Sequence, residues 1–174
     1  MAGRVWPRHG HRGRPLNSVV RPQMKHRIAA GVLVVEKDRL LLVHNVKPSV
    51  YDFWVAPGGG VSGSEDLPTA AAREALEETG LIIEPTSLAY IEELISPDTR
   101  QCKFWYLGKV VGGSLRTSWP EAGAEPIVEA AFLGPAQLRG KLVFPVVLAD
   151  AFWAHLAQGF TQPRYLGVRE MVTG

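Results

Sequence analysis

Three glutamates lie close together on one predicted helix. The stretch from Thr69 to Thr79 is rich in Ala, Glu and Leu, which favour helix formation. Because a helix advances about 100° per residue, the side chains of Glu74, Glu77 and Glu78 share a face of roughly 100°. Like charges at this spacing repel one another, and a hard cation such as Mg²⁺ or Mn²⁺ would relieve that repulsion. Since Mg²⁺ also prefers phosphate ligands, the cluster predicts a metal site that acts on a phosphate substrate.

The residues around this helix support the same interpretation. A glutamate alone is typical of a solvated helix face, but these three follow a run of glycines that includes Gly59. Glycine allows the backbone to approach another group closely, so a carbonyl near Gly59 is a candidate metal ligand. Asp66 is placed to cap the helix, Pro68 falls in its first turn, and Gly80 is placed to end it in a left-handed conformation.

The segment from Gly59 to Leu81 resembles a complete Nudix box. The family pattern is G-x5-E-x7-R-E-U-x-E-E-x-G-U, in which U is a bulky aliphatic residue. Ala75 is the one departure, because a larger residue is usual there, but it touches no ligand. The match covers 23 of the 174 residues, and the order of strands also resembles the family from about Lys25 onwards. The other fixed positions are all met: Gly59, Glu65, Arg73, Glu74, Glu77, Glu78, Gly80 and Leu81.

The resemblance implies a role for each matched residue and a fold for the chain. Glu74, Glu77 and Glu78 would bind Mg²⁺ or Mn²⁺ together with the carbonyl of Gly59. Arg73 would orient a box glutamate through a charge-assisted hydrogen bond, supported by Glu65. The implied fold is an α/β/α sandwich around a mixed β-sheet, and family members are often homodimers.

The implied chemistry is metal-dependent hydrolysis of a diphosphate linkage. Metal ions neutralise phosphate charge and lower the pKa of a bound water, and a carboxylate then accepts the water's proton. This base is either a box residue, for which we favour Glu74, or a glutamate from a later loop, for which we favour Glu125 over Glu121 and Glu129. The expected catalytic residues are therefore Glu74, Glu78, Arg73 and Glu125.

The elements that position this site form an alternation of strands and helices. Ile28–Val35 and Leu40–Val46 predict a hairpin of two buried strands, and 53–56 a short strand. Further strands are predicted at 88–95, 103–111 and 127–133, and a closing helix at 146–156, entered through Pro145. On the glutamate helix, the side expected to pack on the sheet bears Ala72, Ala75, Leu76 and Thr79. The pattern predicts one α/β domain over residues 25–174.

Charge is distributed unevenly along the chain. Seven of the 19 Lys and Arg residues, and none of the 17 Asp and Glu residues, lie in residues 1–27. We interpret residues 1–24 as a flexible basic tail, with Met24 as an alternative start. Trp6 is the one Phe, Trp or Tyr residue in the tail, which therefore lacks a series of aromatic residues interleaved with its basic ones, and we expect no stable nucleic-acid partner. No apolar run is long enough to span a membrane, and the single cysteine, Cys102, is compatible with the cytoplasm.

The box predicts diphosphate chemistry but not the groups on either side of the diphosphate. Fifteen residues separate Pro97 from Leu81, which resembles the placement in ADP-ribose pyrophosphatases of the family and favours an ADP-ribose-type substrate. One alternative is a (d)NTP pyrophosphohydrolase that removes damaged nucleotides, and another is a non-catalytic domain that senses nucleotides. Candidate base-stacking residues are Tyr51, Trp54, Phe104, Trp105, Tyr106 and Trp119.

Overall fold

The structure, a computed structural model, describes residues 24–116 and 127–171. The strands in these ranges are β1 (Lys25–Glu36), β2 (Arg39–Lys47), β3 (Tyr51–Val55), β4 (Gly58–Gly60), β5 (Leu81–Ile95), β6 (Thr99–Gly113), β7 (Ile127–Leu133), β8 (Val143–Phe144) and β9 (Arg164–Glu170). The helices are α1 (Leu67–Thr79), α2 (Pro135–Leu138), a 3₁₀ helix (Val146–Ala149) and α3 (Phe152–Gln158).

Strand β1 joins two halves of a curled, mixed sheet. The first half runs β4–β1–β6–β5–β9, with β1 parallel to β6 and β5 parallel to β9. The second half contains β2, β3, β7 and β8. The predicted hairpin of β1 and β2 is confirmed, but the two strands pair only through Val35 and Glu36. Beyond that turn they diverge, because each pairs with strands of its own half.

Helices cover both faces of the first half of the sheet. Val32 and Val34 of β1 pack with Ala71 and Ala75 of α1 in one apolar cluster. Leu33 lies between them in sequence and belongs to a second cluster, which includes Phe152 of α3. Since successive strand residues point to opposite faces, α1 and α3 lie on opposite sides of the sheet. The predicted α/β fold with a mixed sheet is confirmed.

The side of α1 that packs on the sheet differs in part from the predicted one. Ala75 and Thr79 are buried, as predicted. The prediction for Leu76 is wrong, because its side chain is 45% exposed. Ala70 and Ala71, near the N-terminal end of α1, are fully buried instead. The helix therefore lies flat on β1 through small residues, which allow the two backbones to approach closely.

The C-terminal part of the chain departs most from the sequence-based prediction. The single helix predicted over 146–156 is wrong, because the 3₁₀ helix ends at Ala149 and α3 begins at Phe152. Strand β9 was not predicted; it extends the sheet by pairing with β5, from Tyr90 and Arg164 onwards. Its sequence has Gly167 in the middle and charged residues at both ends, so it lacks the apolar alternation that marks a strand.

Several predicted features fall outside the described residues. The basic tail lies there except for Met24, and so do Trp119, Glu121 and Glu125. Over residues 24–116 and 127–171, no helix has both the length and the apolar character that crossing a membrane requires.

Candidate active site

The ends of helix α1 are set by local contacts that the sequence predicts. The carboxylate of Asp66 accepts a hydrogen bond from the backbone N–H of Thr69 at 2.8 Å, which confirms the N-cap. At the other end, Gly80 has φ 75°, and its N–H donates to the carbonyl of Leu76 at 2.9 Å. The box glutamates therefore project from a helix whose start and end are both defined.

Strand β4 brings the glycine run against α1. Gly58, Gly59 and Gly60 pair with β1, opposite Gly31, Ala30 and Ala29 respectively. A β-carbon on Gly59 would collide with the carboxylate of Glu74. A side chain at this position would force the Glu74 carboxylate to move, because that carboxylate lies directly against the Gly59 backbone. This contact places the predicted backbone ligand beside one predicted carboxylate ligand.

Arg73 is the centre of a hydrogen-bond network on the exposed side of α1. Its guanidinium donates to both carboxylate oxygens of Glu65, at 3.1 and 2.8 Å. It also donates to Glu74 at 2.9 Å, to Glu77 at 3.2 Å and to the carbonyl of Gly60 at 3.0 Å. The hydrogen bonds expected between Arg73, Glu65 and a box glutamate are therefore present. We call the side chains of Arg73, Glu65, Glu74 and Glu77 the Arg73 network.

The three box glutamates occupy different environments. The side chain of Glu77 is 58% exposed, whereas Glu78 is only 8% exposed as a residue. A carboxylate oxygen of Glu78 accepts the backbone N–H of Gly58 at 2.9 Å, so this side chain turns towards β4. Across the described ranges, no three His, Cys, Asp or Glu side chains are gathered in a way that would hold a metal ion.

The donor groups nevertheless fit Mg²⁺ or Mn²⁺ in their chemistry. Carboxylate and peptide oxygens are hard ligands of the kind these ions prefer. In this conformation one nitrogen of Arg73 bridges Glu74 and Glu77. For Glu77 to bind an ion, its carboxylate would have to leave Arg73, and the exposure of its side chain leaves room for that movement.

The ion pair between Arg73 and Glu65 shifts the pKa of both groups. The hydrogen bonds from Arg73, and then that from the backbone of Ser62, hold the pKa of Glu65 below its ordinary value. The same hydrogen bond with Glu65 raises the pKa of Arg73, and Glu74 adds to the increase. Both groups therefore remain charged at neutral pH, as an orienting ion pair requires.

A second charged network, which the sequence did not predict, lies on the other face of the sheet. Lys103 of β6 is 7% exposed, and its Nζ donates to the carbonyl of Gly58 at 2.9 Å. Opposite it on β5, Glu92 is 3% exposed and accepts hydrogen bonds from Arg169 at 2.6 Å and from the indole of Trp105 at 3.2 Å. We call Lys103, Glu92, Arg169 and Trp105 the Lys103 network.

The burial of Lys103 affects its protonation. Removal from water lowers the pKa of its ammonium group, while the negative charges of Glu78, Glu92 and Glu74 oppose that change. One feature of the sequence could have indicated this residue, although the sequence analysis did not use it: a lysine stands at the start of the aromatic run Phe104-Trp105-Tyr106 in a predicted strand. The pattern does not indicate that the lysine faces inward, because that depends on the partners of the strand.

The remaining predicted residues differ in how far they are exposed. Glu129 is exposed on β7, where it pairs with His44 of β2. Trp54 and Trp105 are 5% and 0% exposed, so both belong to the core. Among the predicted base-stacking residues that the structure describes, Tyr51, Phe104 and Tyr106 are half-buried. Cys102 is half-buried in β6, where burial raises the pKa of its thiol.

Comparison with known proteins assigns the family. The profile of the NUDIX domain matches residues 25–151. The chain belongs to the NUDIX family. A NUDIX hydrolase from Nitrosomonas europaea is 26% identical, with a TM-score of 0.56 over 67% of this chain and 78% of that one. An ADP-ribose pyrophosphatase from Streptococcus suis shares the fold, at 18% identity and a TM-score of 0.59 over 80% and 98% of the two chains.

Human 8-oxo-dGDP phosphatase NUDT18 is similar in sequence. It is 33% identical over 103 residues, which are 59% of this chain and 31% of the human protein. The NUDIX chain described here therefore spans about a third of the length of the curated relatives it matches. The similarity covers part of each relative, and the rest of the relative lies outside the match.

Proposed function

We propose that this NUDIX chain hydrolyses the diphosphate linkage of a nucleoside diphosphate joined to another group, using Mg²⁺ or Mn²⁺. The main support is the contact of Glu74 with Gly59 beside the Arg73 network. It brings a carboxylate, a peptide backbone without a side chain and an orienting arginine together. Hydrolysis of a diphosphate needs this combination of hard oxygen ligands and a held carboxylate.

Each box residue has a part in the proposed reaction. Glu74, Glu77 and Glu78 would hold the metal together with the carbonyl of Gly59, and Arg73 would orient Glu74. The bound ion would neutralise phosphate charge and acidify a water. A carboxylate accepts the proton of the attacking water, oxygen bonds to one phosphorus, and the bridging P–O bond breaks with its electrons on the leaving phosphate. Glu74 is our first candidate for the base and Glu125 the second.

The favoured substrate is of the ADP-ribose type. Pro97 lies in the turn between β5 and β6, beside the start of β1, where Lys25 pairs with Thr99. The chain that follows β4 runs towards this same end, because Val61 donates its N–H to Ile28. Pro97 also lines a cavity of about 410 Å³ with Ile95, Ser96, Glu170 and Met171. That volume falls within the range typical of ligand pockets.

A second candidate is an oxidised nucleoside diphosphate such as 8-oxo-dGDP. It is favoured by the 33% identity to human 8-oxo-dGDP phosphatase NUDT18. Both candidates contain a nucleoside attached to a diphosphate, but they differ in the base, in the sugar of the nucleoside and in the ribose that only ADP-ribose carries beyond the second phosphorus. The proposed site chemistry is the same for both.

A product analysis separates these candidates. The purified chain is incubated with Mg²⁺ or Mn²⁺ and with ADP-ribose, 8-oxo-dGDP or each of the dNTPs, with EDTA-treated samples as controls. We expect metal-dependent release of AMP and ribose 5-phosphate, or of 8-oxo-dGMP and phosphate. Turnover of dNTPs alone would support the nucleotide-sanitising alternative. Nucleotide binding without turnover under every metal condition would contradict the enzyme and support the sensing domain.

A further inference from the structure

Lys103 is a charged residue that is almost completely buried. Removing an ammonium group from water is costly unless hydrogen bonds and opposite charges compensate. Its position is nevertheless well supported. The Nζ atom lies 4.3 Å from the ring centroid of Trp105, and Glu92 is its direct neighbour on β5. Glu92 is held in turn by Arg169.

Lys103 contacts the residue that precedes Gly59, whose carbonyl is a proposed metal ligand. Its Nζ donates to the carbonyl of Gly58 at 2.9 Å, although 45 residues separate the two in sequence. To make this contact the side chain crosses β1, which lies between β6 and β4. The hydrogen bond therefore joins β6 to a strand with which it does not pair.

Both backbone polar groups of Gly58 make hydrogen bonds to side chains. Its N–H donates to Glu78 of α1 at 2.9 Å, and its carbonyl accepts from Lys103. Strand β4 is only three residues long, so few ladder hydrogen bonds fix it. The next residue, Gly59, is the one that contacts Glu74. A shift of Gly58 would therefore displace two of the proposed metal-binding groups together.

We propose that Lys103 is a positioning residue for the diphosphate-cleaving site: by holding the carbonyl of Gly58 it fixes β4, and through β4 it sets Gly59 and Glu78 for metal binding. This inference rests on the proposed function of the box. Partners that orient metal ligands typically change metal affinity or activity by about 10- to 100-fold when they are removed. We expect an effect of that size here.

The sign of the change in metal affinity distinguishes positioning from simple electrostatics. Lys103 brings a positive charge close to Glu78 and Glu74. If charge alone mattered, removing the ammonium would strengthen the binding of a divalent cation, because less positive charge would oppose it. If Lys103 positions β4, its removal weakens binding, because the carbonyl of Gly58 loses its partner.

The test compares Lys103→Met with Lys109→Met. Lys109 lies on the same strand, but it is exposed and pairs with Glu84 at the surface. Binding of Mn²⁺ is measured from the electron paramagnetic resonance signal of the free ion, and kcat and KM from product release. We expect Lys103→Met to bind Mn²⁺ at least about 10-fold more weakly, with lower kcat and a nearly unchanged KM for the nucleotide. Lys109→Met should behave as the wild type.

Two results would overturn the inference. One is a folded Lys103→Met protein that binds Mn²⁺ as tightly as the wild type or more tightly. The other is a variant that unfolds at a lower temperature but keeps its Mn²⁺ affinity and kcat, because Lys103 would then be structural only.

A conservative variant keeps the test usable if Lys103→Met does not fold. Lys103→Arg retains both the charge and the N–H donors, and we expect it to recover most of the Mn²⁺ affinity. A folded Lys103→Arg protein with 10-fold weaker Mn²⁺ binding would count against the proposal. If the wild type neither binds Mn²⁺ nor cleaves any nucleotide, the proposed function itself fails.

Discussion

The Arg73 network and the Lys103 network contact the same three-residue strand, β4, from opposite sides of the sheet. Arg73 reaches the carbonyl of Gly60, and Lys103 reaches that of Gly58. In the Arg73 network the partners lie close in sequence, such as Glu74 next to Arg73 and Glu65 eight residues before it. In the Lys103 network Glu92 and Arg169 are 77 residues apart.

The two networks also differ in their contact with water. The side chain of Arg73 is 31% exposed, and that of Glu77 is 58% exposed. In the Lys103 network, the side chain of Glu92 is 4% exposed. Exposed ion pairs add little stability because water screens them, whereas breaking a buried pair leaves a charge without compensation. The Arg73 network should therefore matter mainly for catalysis, and the Lys103 network for both stability and catalysis.

The largest effect is expected at Glu78, whose carboxylate accepts the N–H of Gly58. Lys103 contacts the carbonyl of the same residue. In Glu78→Gln the amide oxygen can still accept the N–H of Gly58, so the fold should persist while the metal-binding charge is lost. We expect kcat to fall by roughly 10²- to 10⁴-fold. Turnover of the preferred nucleotide measures it, with Glu84→Gln as the control because Glu84 pairs with Lys109 at the surface. Unchanged turnover would show that the metal-site assignment is wrong.

The next effect concerns stability and should appear in Arg169→Met. Glu92 would remain buried without its 2.6 Å partner. We expect the free energy of unfolding to fall by about 3 kcal/mol, measured by urea denaturation.

A surface pair gives the control for that experiment. Arg100 contacts Glu93 at 2.7 Å, and its side chain is 44% exposed. Arg100→Met should cost less than about 1 kcal/mol. If Arg100→Met and Arg169→Met lose the same stability, the distinction between exposed and buried pairs does not hold in this protein.

A smaller effect, in activity rather than stability, is expected for Arg73→Lys. Lysine keeps the charge but cannot make the two parallel hydrogen bonds to Glu65. We expect kcat to fall by about 10- to 100-fold, while the free energy of unfolding changes by less than about 1 kcal/mol. Steady-state kinetics and urea denaturation of the same preparation test both parts. A large loss of stability with normal kcat would contradict the expectation that the Arg73 network matters mainly for catalysis.

The smallest effect is a pH dependence that belongs to Glu65. Hydrogen bonds from Arg73 lower the pKa of Glu65 in the folded protein. A carboxylate with a depressed folded pKa stabilises the fold fully above its unfolded pKa and loses that contribution as the pH falls through the folded pKa. The stability difference between wild type and Glu65→Gln should therefore be largest above about pH 5 and shrink towards pH 3. Urea denaturation across this range measures it, and a difference that grows on acidification would contradict the assignment.

The parts of the site that could be predicted are those formed by neighbours in sequence. The N-cap at Asp66, the end of α1 at Gly80 and the contacts of Arg73 all lie within one helix and the loop before it. Their geometry follows from helical spacing and from hydrogen bonds that the backbone needs locally. Strand β7 was also predicted to its boundaries, because its apolar residues end where the chain turns at Gly134.

The parts that escaped prediction depend on partners far along the chain. Leu76 was expected to be buried from its type, yet the direction in which α1 lies on β1 leaves it exposed. Strand β9 exists because β5 offers an unpaired edge, which its own sequence does not show. The same holds for β4, whose glycines have no strand preference and are held by pairing with β1.

The amino-acid sequence by itself determined the helix, its caps and the set of acidic and basic groups available for diphosphate chemistry, because these depend on residues within a few turns of one another. Only the tertiary structure decided which charges are buried and which backbone they hold. Lys103 reaches Gly58 because β6, β1 and β4 lie side by side in the sheet. That adjacency is a property of the whole folded sheet, since each strand acquires its neighbour from a distant part of the chain.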